Sequence, residues 1–89
     1  MITGQVTIIN KLGLHARAAA KLVDLSSRYA CDIHIVLESR RVDAKSIMAV
    51  MLLAATQGTV LNFEIEGEDA EVALNELVQL INDRFGEDE

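Results

Sequence analysis

The chain has 89 residues, 51% of them hydrophobic but only 3% aromatic, and its 14 acidic against 8 basic side chains give a formal net charge of −6. That bounds it to one small domain over residues 1–89 with an aliphatic core, and it argues against nucleic-acid binding, which needs a basic stripe. A single cysteine, Cys31, excludes an internal disulfide, one cysteine with two unclustered histidines supports no metal or other cofactor, and no signal peptide or bilayer-length apolar run is read, so a cytoplasmic protein without membrane insertion is expected.

Val6 and Ile8 alternate with Gln5 and Thr7 and predict a first strand. Asn10 to Gly13 is a turn, and a helix follows from about Ala16 to Arg28, with Leu22, Leu25 and Tyr29 near one face and Ala19 and Val23 beside it. Ile33, Ile35 and Leu37 form a second strand, and a short third strand around Arg40 to Asp43 returns through a turn that lacks glycine. Ser46 stands as an N-cap before an apolar helix from Ile47 to Ala55, with Gly58 beyond its end. Leu61, Phe63 and Ile65 form a fourth strand, broken by Gly67. Asp69 or a neighbour caps a last helix whose buried stripe is Ala70, Leu74, Leu77, Ile81 and Phe85. Gly86 to Glu89 reads as a frayed acidic tail in solvent. The order β-α-β-β-α-β-α implies an α+β fold in two layers, one sheet under helices.

The stretch Gly13-Leu14-His15-Ala16-Arg17 carries the most chemistry. It sets an imidazole at the opening of a helix, where backbone N–H groups lack partners and the helix dipole is positive. Such a start receives a phosphate, and a histidine ring nitrogen can carry a phosphoryl group. The amides of Ala16, Arg17 and Ala18 are candidate phosphate ligands. Arg17 adds a planar fork of donors, placed where a helix alone would disfavour positive charge. On spacing alone, the bland alternative is a surface histidine that only caps a helix. His34 reads as a solvent-facing strand residue and Cys31 as a small buried or edge residue. A hydrolase with His15 as base lacks any identifiable nucleophile and orienting acid.

Lys11-Leu12-Gly13-Leu14-His15-Ala16-Arg17, with Lys45-Ser46-Ile47-Met48 and Gln57-Gly58-Thr59-Val60, resembles the histidine-containing phosphocarrier (HPr) family of the bacterial phosphoenolpyruvate-dependent phosphotransferase system, along nearly the whole chain. The resemblance implies an open-faced β-sandwich: a four-stranded antiparallel sheet of order 1-4-2-3 with three helices on one face. It implies a monomeric, stoichiometric phosphoryl carrier rather than an enzyme with turnover. His15 would be phosphorylated at Nδ1 by enzyme I and would pass the group to an enzyme IIA component for sugar uptake. It further implies regulation at Ser46 by HPr kinase/phosphorylase. Partners would be met by Ile47, Met48 and Met51, with Arg17, Ala20 and Lys21 beside them; methionines suit a surface that fits several partners. The alternatives are a nitrogen-related paralogue acting on a regulatory enzyme IIA, and a binding protein controlled by Ser46 phosphorylation; the presence of His15 weighs against the second alone. One departure stands out. The family commonly has proline after the arginine and this chain has Ala18, a strong helix former, so the helix start is expected to survive.

Overall fold

The computed structural model describes all 89 residues. Four strands, β1 (Ile2–Thr7), β2 (Asp32–Leu37), β3 (Arg40–Asp43) and β4 (Val60–Glu66), alternate with α1 (Ala16–Ser26), α2 (Ile47–Leu52) and α3 (Ala70–Asn82), and a 3-10 turn at Arg84–Gly86 follows. The sheet is antiparallel with the order β1-β4-β2-β3, and the fold expected from the resemblance is the one observed.

Period-two patterning explains the layers. In β4, Leu61, Phe63 and Ile65 are buried, and the register sets them beside Val6, Gly4 and Ile2 on one side. On the other side Ile33 and Ile35 face Ile65 and Phe63. These residues form one core with Ala18, Ala19 and Leu22 of α1, Val50 of α2, and Ala73, Leu77 and Ile81 of α3. The opposite face is polar: Gln5 Nε2 donates to Asn62 Oδ1 at 2.8 Å, and Arg41 pairs with Glu64 at 2.9 Å. His34 lies on this face between Glu64 and Asp43, as its strand position predicts. Helix α3 passes so close over β1 that a Cβ at Gly4 would lie 2.8 Å from a Leu74 methyl.

Several boundaries differ from the sequence reading. Helix α1 stops at Ser26 rather than Arg28, and α2 at Leu52 rather than Ala55. The apolar residues beyond α2 are not helical: Ala54 takes a left-handed φ of 52°, while Leu53 and Ala55 are buried in the core. Leu74 is only half-buried, and Ala73 takes the fully buried place beside it. Phe85 is buried, as expected, but not on α3; the helix ends at Asn82 and the chain reverses at Arg84 and Phe85, both at positive φ. The glycine-free turn between β2 and β3 is made by giving Glu38 a φ of 57°. Asp69 does occupy the N-cap of α3, yet its side chain makes no cap bond. Its carboxylate accepts from the amides of Ala30 and Cys31 instead, at 3.0 and 3.1 Å. Cys31 is buried; burial first, and then the Asp69 carboxylate, push its thiol up and keep it protonated.

Candidate functional site

The turn before α1 is held from both directions. Gly13 N donates to Asn10 O at 3.2 Å, and the fully buried Asn10 side chain donates from Nδ2 to Gly13 O at 2.9 Å. Gly13 takes a φ of +66°, and a Cβ there would lie 2.5 Å from Ala55 O, so both conformation and space demand glycine. Leu14 N donates to that same Ala55 carbonyl at 2.9 Å, and the Leu14 side chain enters the core. The segment after α2 is in turn stitched to the end of β1. Ile8 N donates to Thr59 O, Gly58 N to Ile8 O, and the Gln57 side chain to Ile9 O. The two motifs, distant in sequence, are therefore one structural unit that delivers His15 to the head of α1.

His15 is the N-cap, extended at φ −70° and ψ 177°. Its carbonyl accepts the first helical bond, from Ala19 N at 2.8 Å. Its side chain does not cap the helix, and no acidic side chain lies in the first turn. The amides of Ala16, Arg17 and Ala18 make no hydrogen bond within the chain. The exposed Ala16 and Arg17 offer two of these N–H donors, with the positive end of the dipole, to an anion, whereas the Ala18 amide belongs to a fully buried residue. The helix starts at Ala16 with Ala18 fully buried, so the residue that departs from the family pattern is compatible with the fold.

The imidazole is partly exposed, its side chain retaining 28% of its accessible surface. Nε2 is hydrogen-bonded to Glu87 Oε2, while Nδ1 engages no group of the chain. The other Glu87 oxygen accepts from Asn10 Nδ2 at 3.0 Å. Burial pushes the Glu87 carboxyl up, but the hydrogen bonds from His15 and Asn10 and the charges of His15 and Lys21 outweigh it, and the net direction is down. This corrects the expectation of a tail free in solvent. Lys11 N donates to Glu89 O at 2.6 Å, Lys21 Nζ donates to Phe85 O at 2.6 Å, and residues 87–89 line a cleft with Lys11, Leu12, His15, Ala16 and Arg17. Neither Glu87 nor Asn10 is picked out by sequence reasoning. Asn10 lies in a turn where asparagine is common, and nothing local links Glu87 to a residue 72 positions earlier.

Arg17 is exposed, lines the same cleft, and forms no ion pair. Ser46 is half-buried at the head of α2, and its Oγ accepts from Ala49 N at 3.3 Å, the N-cap bond its position predicts. Ile47, Met48 and Met51 are 39%, 68% and 41% exposed, and the core is served by Val50 and Leu53 instead. Leu52, at 71%, adds to the exposed apolar residues of α2, and Leu12, at 68%, lines the His15 cleft; the sequence pattern singles out neither. Ala20 is exposed, whereas the Lys21 ammonium is tied to the Phe85 carbonyl.

Residues 2–83 match the family model for the phosphotransferase-system HPr component phosphorylation site. The phosphocarrier protein HPr of Pseudomonas aeruginosa is 57% identical over 86 residues, covering 96% of each chain. Among solved structures, HPr-C-His from Thermoanaerobacter tengcongensis superimposes over 100% of both chains with a TM-score of 0.96 at 42% identity. The Bacillus anthracis phosphocarrier HPr does so with a TM-score of 0.86 at 39% identity, over 90% of this chain and 95% of its own.

Proposed function

The chain belongs to the HPr family of the phosphotransferase system, and on that premise we propose that it is a stoichiometric phosphoryl carrier in which His15 accepts a phosphoryl group at Nδ1 from enzyme I and passes it to an enzyme IIA. The observation that carries this reading is the head of α1: a partly exposed imidazole with a free Nδ1, followed by three amides with no partner in the chain. A phosphoryl group on Nδ1 gains the exposed Ala16 and Arg17 N–H donors and the dipole, and the Arg17 side chain on the same cleft supplies a cation for its oxygens. Backbone amides hold an anion without adding a full opposing charge, which suits a group that must be given up again. The exposed Ile47, Met48, Met51 and Leu52 of α2 supply an apolar docking surface for a small, transient interface. The carrier works as a cytoplasmic monomer, meeting enzyme I and enzyme IIA in turn.

Ser46 is the regulatory site in this reading. Phosphorylation by HPr kinase/phosphorylase places nearly two negative charges beside Ile47 and Met48 and weakens docking by repulsion and desolvation, while the head of α2 tolerates the charge. The test of the carrier is incubation with enzyme I and radiolabelled phosphoenolpyruvate. Acid-labile, base-stable label is expected on the wild type and none on His15→Ala; equal labelling of the two rejects the assignment. The test of regulation is incubation with the kinase and ATP, with phosphate expected on Ser46 and absent from Ser46→Ala.

A further inference from the structure

We infer that Glu87 is a positioning residue for the transfer step: its carboxylate keeps a proton on Nε2 of His15 and balances the charge the ring acquires when Nδ1 takes the phosphoryl group. This inference rests on the carrier reading above. An ionised carboxylate only accepts hydrogen bonds, so in the Glu87–His15 pair the ring nitrogen donates. The neutral imidazole is then protonated on Nε2, and its lone pair resides on Nδ1, the nitrogen with no partner in the chain.

The step balances without a further proton. The Nδ1 lone pair forms the bond to phosphorus as the bond from phosphorus to the donor breaks, its electron pair leaving on the donor. Nε2 keeps its hydrogen, the ring becomes a cation, and the Glu87 carboxylate lies against that cation. In onward transfer a lone pair of a nucleophile on the accepting protein forms the new bond to phosphorus as the N–P bond breaks, its electrons return to Nδ1, and the neutral ring is restored. A carboxylate bonded to the far nitrogen of a reacting imidazole does the same work in hydrolytic triads.

The contact is built rather than incidental. Phe85, 1% exposed, anchors the chain just before the tail, and Lys21 Nζ holds its carbonyl. Arg84 and Phe85 adopt φ of 56° and 54°, a conformation that side-chain-bearing residues seldom take, and it turns the chain back toward His15. Beyond Glu87, the Lys11 amide holds Glu89 O, and Asn10 fixes the second carboxylate oxygen.

Glu87→Gln preserves size and can still bond Asn10 but carries no charge. Glu76→Gln removes the same charge from an exposed position on α3 and serves as control. A chain ending at Gly86 keeps Phe85 and is expected to follow Glu87→Gln. Nitrogen-15 NMR of the unphosphorylated ring, at a pH where it is neutral, reads the tautomer; the initial rate of labelling from enzyme I and radiolabelled phosphoenolpyruvate reads transfer. Wild type and Glu76→Gln are expected to show the Nε2–H form and equal rates. Glu87→Gln is expected to show mixed tautomers and about tenfold slower labelling, the loss of one partly solvated charge-assisted bond. If the wild type takes up no label on His15, the carrier reading itself fails. If it labels, and Glu87→Gln does not change both tautomer and rate in these directions, the positioning role is overturned; faster labelling would make the tail an obstruction instead.

Discussion

Helix α1 opens on a residue whose side chain makes no cap bond, and α2 on one whose side chain makes one. At Ser46 the hydroxyl accepts from Ala49 N, so one of the orphan donors is satisfied locally. At His15 the ring reaches instead to the far end of the chain, and the amides behind it stay unbonded. The two starts show why a cap is a choice between stability and reactivity. A satisfied N–H contributes to the helix, whereas an unsatisfied one is available to an incoming anion. Ala16 and Arg17 are exposed, so solvent reaches their open donors at little cost, and the turn that presents them is braced by Asn10, Gly13 and Leu14 rather than by a cap.

Substitutions can break this contrast, beginning with the brace. Gly13→Ala forces a Cβ to within 2.5 Å of Ala55 O at a φ of +66°, and is expected to lower unfolding free energy by about 2 kcal/mol or more. Urea denaturation measures that loss, and labelling should fall with it because the His15 turn moves. Arg17→Ala removes a side chain with no ion pair in the chain, so stability is expected to hold while labelling from enzyme I slows about tenfold, or ~1.4 kcal/mol of barrier. Unchanged transfer would remove Arg17 from the site. Ser46→Ala deletes a cap bond and is expected to cost ~1 kcal/mol in the same urea experiment. His15→Ala deletes no cap bond, only a partly exposed hydrogen bond to Glu87, and is expected to stay within about 0.5 kcal/mol of wild type although it abolishes labelling. An equal loss at the two caps would erase the distinction between them.

Acid offers the gentlest probe. The Glu87 carboxyl is depressed in the folded chain, so docking of the tail contributes stability above the ordinary carboxylate value and loses it as pH falls through the lower folded value. Amide exchange at residues 87–89 is therefore expected to quicken at acid pH while the β4 amides stay protected. Uniform behaviour of both regions would mean the tail is not a separate unit.

Some of this was open to reading along the chain. The alternation in β2 and β4 and the Ser46 cap are local signals, and both appear in the folded molecule. Helix ends were harder to read. Leu53 and Ala55 look like a continuation of α2 because they are apolar, but they are apolar to meet the core and, for Ala55, to bring its carbonyl to Leu14. Asp69 has the side chain of a cap, yet tertiary contacts give its carboxylate to Ala30 and Cys31. Phe85 fits the α3 stripe by spacing, and is buried by a chain reversal that spacing cannot show.

The sequence by itself determined the layers, the family, and the presence of an imidazole at a helix start, since side-chain periodicity and capping act over a few neighbouring residues and are written in their order. Which ring nitrogen is engaged, what braces Gly13, and where the acidic tail lies were decided only by the tertiary structure. Those contacts join residues as far apart as His15 and Glu87, and a bond across space leaves no local pattern in the chain.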